Sequence, residues 1–83
     1  MRQEITLDEV KYGDIIKIKP LEDYEEDGGD ITELVKKFAG QECTVHKGVV
    51  EGGIRVFLAG NSDLGSCSFK DYEIFKAYRA VVQ

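Results

Sequence analysis

Residues 20–35 (PLEDYEEDGGDITELV) carry seven carboxylates and not one Lys or Arg. Burying unpaired charge costs more than a small domain can recover, so this stretch cannot run through a core. It must lie on the surface, and the segments on either side of it must supply the fold. The remaining nine acids face all 11 Lys and Arg, which leaves the rest of the chain at about +2 against −5 for the whole. The chain reads as a near-neutral domain carrying an acidic insertion.

A single domain over residues 1–83 is expected. At 83 residues, only roughly 60–65% of the unfolded surface can be buried, so the core must be thin. The 42% hydrophobic and 33% charged content is that of a globular chain rather than a disordered one. No apolar run approaches the roughly 20 residues that cross a bilayer. The opening MRQEITLDEV has no apolar segment of the kind a secretory signal carries. These features predict a cytoplasmic protein without membrane contact, monomeric or weakly dimeric.

Short-range signals alternate between turns and strands. Thr6-Leu7-Asp8-Glu9 has the form of a capping box, with Ile5 and Val10 placed as its hydrophobic staple. Gly13 limits the helical turn it starts to about residues 7–11. Residues 14–19 (DIIKIK) alternate apolar with basic and put Ile16 and Ile18 on one face of a strand, which Pro20 ends. Residues 21–29 read as an acidic loop closed by Gly28 and Gly29. Asp30 is expected to cap one inserted helix over residues 31–38, with Glu33 at N3. Its apolar stripe is Ile31, Leu34, Val35 and Phe38, Lys36 and Lys37 lie in its last turn, and Gly40 stops it. Strands follow over residues 42–47, 54–59, 66–69 and 74–78, separated by glycine-rich turns and a 3₁₀ turn at 70–73. Cys43 and Val45 are expected to face inward, as are Ile54, Val56 and Leu58, with Arg55 and Phe57 outward.

The order of these pieces carries a resemblance. Gly13-Asp14-Ile15-Ile16-Lys17-Ile18, then residues 38–45 (FAGQECTV), 54–58 (IRVFL) and 69–74 (FKDYEI), resemble the small SH3-like barrels. That group includes KOW-type domains and small phage or prophage proteins of the YorP type. Their shared pattern is G-D-x-V-x-I, then G-x-x-G-x-V, x-V-x-L and F-x-x-x-E-L. The resemblance spans residues 13–78 and implies a mainly β, SH3-like five-stranded barrel, with the acidic loop and helix inserted at residues 20–38. It departs from the KOW pattern at Cys43, where a second glycine would fall. The segment Leu21-Glu22-Asp23-Tyr24-Glu25 echoes the opening of signalling SH3 domains, but here it follows the G-D-x-I strand instead of preceding it. The chain also has no Trp on which ligand prolines would stack.

Few constellations could carry catalysis. Nucleophilic catalysis needs a nucleophile, a base and an orienting group within reach. The single His46 alternates onto the strand face opposite Cys43, and neither a phosphate-binding loop nor a dinucleotide fingerprint is present. Cys43, Cys67 and His46 fall short of a zinc ligand set, and the two thiols, in phase with Val45 and Phe69, read as small core residues. Asp23, Glu25 and Asp27 followed by Gly28 imitate the start of a calcium loop, but position 12 is Leu34, so any Ca²⁺ or Mg²⁺ binding is adventitious. No enzyme activity, metal or cofactor is expected.

Two binding classes remain. Glu22, Asp23, Tyr24, Glu25, Glu26 and Asp27 form a carboxylate surface around an aromatic ring, suited to a basic patch on another protein. Small phage proteins of the resembled type act on host proteins, which favours this reading. The alternative is a KOW-like RNA or DNA binder using Lys17, Lys19, Arg55 and Phe57 on the outer strand face. A structural subunit that self-associates through an unpaired closing segment, Ala77 to Val82, is a third expectation.

Overall fold

The computed structural model describes residues 1–28 and 30–81. The loop-closing position of Gly29 and the end of the closing segment at Val82 lie outside the described residues. The chain is mainly antiparallel β, with strands β1 (Arg2–Ile5), β2 (Ile15–Ile18), β3 (Glu42–Glu51), β4 (Ile54–Asn61), β5 (Gly65–Lys70) and β6 (Ile74–Ala80). Two short helices, α1 (Leu21–Glu26) and α2 (Glu33–Phe38), both lie between β2 and β3. One sheet holds all six strands in the order β1-β6-β2-β3-β4-β5.

The sheet has six strands where five were expected, and β1 and β5 are its unpaired edges, so its ladder does not close. The sheet is nevertheless strongly coiled. In a flat sheet, β1 and β4 would lie roughly 19 Å apart at the usual strand spacing. Asp8 follows β1 by three residues, yet its carboxylate lies 3.5 Å from the guanidinium of Arg55 on β4. Coiling also lets residues from both edges, Ile5 of β1 and Phe69 of β5, join one buried cluster with Ile16, Ile18, Val45 and Phe57.

Several local expectations hold. Thr6 and Glu9 form the capping box of a 3₁₀ turn at Leu7–Glu9, and Ile5 and Val10 beside it are both buried. Ile16, Ile18, Cys43 and Val45 all point into the core. The β3–β4 hairpin closes through Gly52 and Gly53, whose φ of 55° and 83° suit a two-residue turn that other residues would strain.

Others are corrected. On β4 the buried face is Phe57 and Ala59, both 0% exposed, while Ile54 and Leu58 are exposed. Strand β4 is apolar on both faces, and the face carrying the largest side chain wins because an aromatic ring buries the most area. Phe57 pairs across the ladder with Gly48 and Phe69, and its ring lies 3.6 Å from where a Cβ on Gly48 would stand. The second helix starts two residues later than expected and is capped by Thr32, whose hydroxyl accepts from the Val35 amide. Asp30 is not its cap, and Leu34, expected to pack inward, is exposed.

The self-association surface expected at Ala77 to Val82 is also corrected. Strand β6 lies inside the sheet, paired with β1 on one side and β2 on the other. Its main-chain groups already have partners, so it offers no edge. What covers it is β1, a strand with no alternating apolar pattern of its own. Beyond its ladder, β1 is held by Arg2 to Glu42 at 2.6 Å and by Lys76 to Glu4 at 3.6 Å.

Candidate functional site

The segment read as an acidic loop is largely helix α1. Pro20 stands at its N-cap with φ −68°, which presets the turn. Glu22 and Asp23 occupy the first turn, where the positive end of the helix dipole favours them. Tyr24, one helical turn after Leu21, packs against the core. These terms offset the repulsion among the acids, which alone would disfavour a helix.

Tyr24 is an anchor rather than an exposed contact. Its hydroxyl donates to the Glu73 carboxylate at 2.9 Å, and Lys19 Nζ lies 4.5 Å from its ring centroid. Burial, reinforced by the Glu73 carboxylate, pushes the phenol well above its ordinary pKa. Lys19 is itself buried and bonded to Asp27, which ties the C-terminal end of α1 to the strand side of the fold. Tyr24→Phe is expected to cost about 1.5 kcal/mol, as for a hydrogen bond to a charged group. A thermal melt should record a fall of about 6–12 °C.

With Tyr24 and Asp27 committed, the carboxylates facing solvent are Glu22, Glu25 and Glu26 on α1, joined by Asp30 and Glu33 beyond it. Asp23 is half-buried. The helix also removes the imitation of a calcium loop. Acids at alternate helical positions point about 200° apart, so Glu25 points away from Asp23 and Asp27 and the three do not converge. Among the described residues, no group of three or more His, Cys, Asp or Glu side chains is placed to hold a metal ion.

Beside the acids runs a groove the sequence did not reveal. A notch of about 40 Å³ is lined by Leu34, Val35, Phe38, Phe69, Cys67 and Tyr24, among others. It adjoins an open concavity of about 420 Å³ that reaches Asp27, Asp30 and Tyr72. Tyr24, Val35 and Glu73 line both, which makes them one groove with an apolar end and an open end lined by Asp30 and by the Lys19–Asp27 pair.

The residues expected to bind nucleic acid are not brought together as a free surface. Phe57 is fully buried, because its face of β4 is the core face. Lys19 is buried under α1, and Arg55 is paired with Asp8. Only Lys17 stays on the outer face, with its Nζ 5.9 Å from the Phe75 ring. Phe75 is the extra residue in a bulge of β6 and is 52% exposed, and Lys76 Nζ lies 5.7 Å from the same ring. The sequence signal for this cluster was the pair Phe75-Lys76 in the last strand.

The two cysteines are free. Burial pushes the Cys43 thiol up to about 11, so little thiolate is available for chemistry. His46 is exposed at the β3 irregularity, where a Cβ on Gly60 would come within 3.3 Å of its ring. Searches against family models, curated proteins and solved structures return no match. Among the described residues, no helix is long and apolar enough to cross a membrane.

Proposed function

We propose that this chain is a non-enzymatic, SH3-like barrel module that binds another protein through the acidic outer face of α1. The barrel is supported by the coiling of the sheet, which collects residues of both edge strands into one core. The 3₁₀ turn Asp71–Glu73 between β5 and β6 lies where the resembled pattern places its F-x-x-x-E-L corner.

One observation carries the binding function. Glu22, Glu25 and Glu26 stand exposed on a helix whose inward side is fixed by Tyr24 and Lys19. A charged surface held on a rigid element meets its partner with less entropy lost than a mobile loop does. The partner is expected to present a basic patch, and a host protein met by a small phage or prophage protein fits that description. Changing Glu22, Glu25 and Glu26 together to Gln should weaken partner binding at least tenfold while leaving the thermal melt within about 3 °C of wild type, since exposed charges contribute little to stability. Unchanged affinity for the partner would refute the assignment.

A second reading, binding of single-stranded nucleic acid, is favoured by Phe75 standing exposed between Lys17 and Lys76. An exposed ring flanked by amines can stack a base and hold its phosphates. Lys76 is partly occupied by Glu4 at 3.6 Å, and the acidic face of α1 repels a polyanion, so this reading ranks second.

A further inference from the structure

The two edges of the sheet differ in how they are guarded. Strand β1 is four residues long and carries Arg2 and Glu4, charges that discourage a further strand from adding. Strand β5 is six residues long, reads Gly-Ser-Cys-Ser-Phe-Lys, and has no charge before Lys70. Its ladder is with β4 alone. An uncharged edge of this length is a template for another strand. The apolar notch opens beside it, bordered by Cys67, Ser68 and Phe69 of β5 and by Leu34 of α2, which is 55% exposed.

We propose that β5 accepts an extended, basic segment of the partner as a seventh strand. One small aliphatic side chain would enter the notch, and Lys or Arg side chains on the same strand face would reach Asp30 and Glu73 at the open end of the groove. The backbone ladder would supply affinity, and the notch and the acids specificity. Side chains on one face of a strand recur every second residue, roughly 6.8 Å apart, so anchor and cations belong at alternate positions. Charge complementarity selects a basic segment over a second copy of this chain. Two copies would each bring a net charge of −5 and the same acidic helix to the interface. This inference rests on the acidic face of α1 being the binding surface and adds the strand and its anchor.

The probe is the nine-residue peptide Lys-Thr-Lys-Thr-Val-Thr-Lys-Thr-Lys, titrated into isotopically labelled protein and followed by amide shifts. Its control replaces the central Val by Ser at equal charge. The Val peptide is expected to bind at least fivefold tighter and to move the amides of residues 66–69 as well as those of α1. Leu34→Lys, an exposed substitution whose folding is checked by melting, should weaken the Val peptide at least tenfold and erase the difference between the two. Equal affinities with shifts confined to α1 would overturn strand addition while leaving the acidic surface intact. Absence of shifts with both peptides would remove the strand and the acidic surface together. Concentration-dependent broadening of the β5 amides without peptide would make a second copy the occupant and overturn the proposal.

Discussion

Phe57→Ala is expected to remove a large fraction of the stability of the fold. Phe57 is fully buried on a central strand, with Gly48 and Phe69 as its ladder partners. Truncating a buried Phe to Ala typically costs 3–5 kcal/mol, combining lost transfer energy with the cavity left behind. At 83 residues, the whole fold is worth about 4–12 kcal/mol. The loss therefore takes a large fraction of the total, and a melt should fall by about 15 °C or more. Leu58→Ala on the opposite face, where the side chain is 43% exposed, should cost less than about 1 kcal/mol. The contrast tests the register. If Leu58 proved the costlier position, β4 would present its other face to the core.

The second large effect is expected at Asp14. This carboxylate is 4% exposed and accepts from Arg79 Nε at 3.1 Å, from Arg79 Nη2 at 2.9 Å and from the Lys11 amide at 3.0 Å. The bidentate contact joins the turn before β2 to β6. Arg79 Nη2 also donates to the Glu9 carbonyl, so the 3₁₀ turn after β1 is gathered into the same network. Removing the acid leaves its donors without their acceptor, and Asp14→Ala should cost about 2–3 kcal/mol.

The pH dependence of this site has a definite sign. The Arg79 guanidinium holds the Asp14 carboxyl below its ordinary range. A proton then binds more tightly to the unfolded chain, whose Asp titrates near about 3.9. The contribution is fully present above that value and is lost as pH falls through the lower folded pKa. Wild type should therefore exceed Asp14→Asn in melting temperature by its full margin near neutrality. That margin should shrink as the solution is taken below about pH 4. A margin independent of pH would mean that the ionised carboxylate is not what Arg79 recognises.

How much of this was legible in the sequence varies with the range of the interaction. The Thr6 capping box and the alternation at Ile16 and Ile18 are local signals, and both are found in the fold. Strand β4 was ambiguous because Ile54, Val56 and Leu58 offer one apolar face and Phe57 and Ala59 another. Only packing against Gly48 and Phe69 decides between them. Strand β1 carries a single buried apolar residue, Ile5, and its register is set by residues 77–80 at the far end of the chain. No local pattern announces such a pairing. Helix α1 was hidden by its own charges, although Leu21 and Tyr24 stand at helical spacing after a proline.

The site divides in the same way. That the acids lie together on the surface follows from composition alone. The role of Tyr24 does not, because its partner Glu73 lies 49 residues away. Phe57 and Lys19 alternate with apolar neighbours as outer-face residues should, and both are buried by elements the alternation does not describe. Long-range coiling brings α2 and β5 to either side of the notch, so the groove has no signature in any single segment.

Protein binding through the acidic face of α1 is tested most directly by a pull-down from cell lysate with tagged wild type beside the Glu22→Gln, Glu25→Gln, Glu26→Gln variant, each divided into nuclease-treated and untreated halves. The expected result is a protein retained by wild type after nuclease treatment and absent from the variant. Material that disappears with nuclease, or that the variant retains as well as wild type does, would contradict the claim. The first of those outcomes would move the binding surface to Phe75 and its flanking lysines.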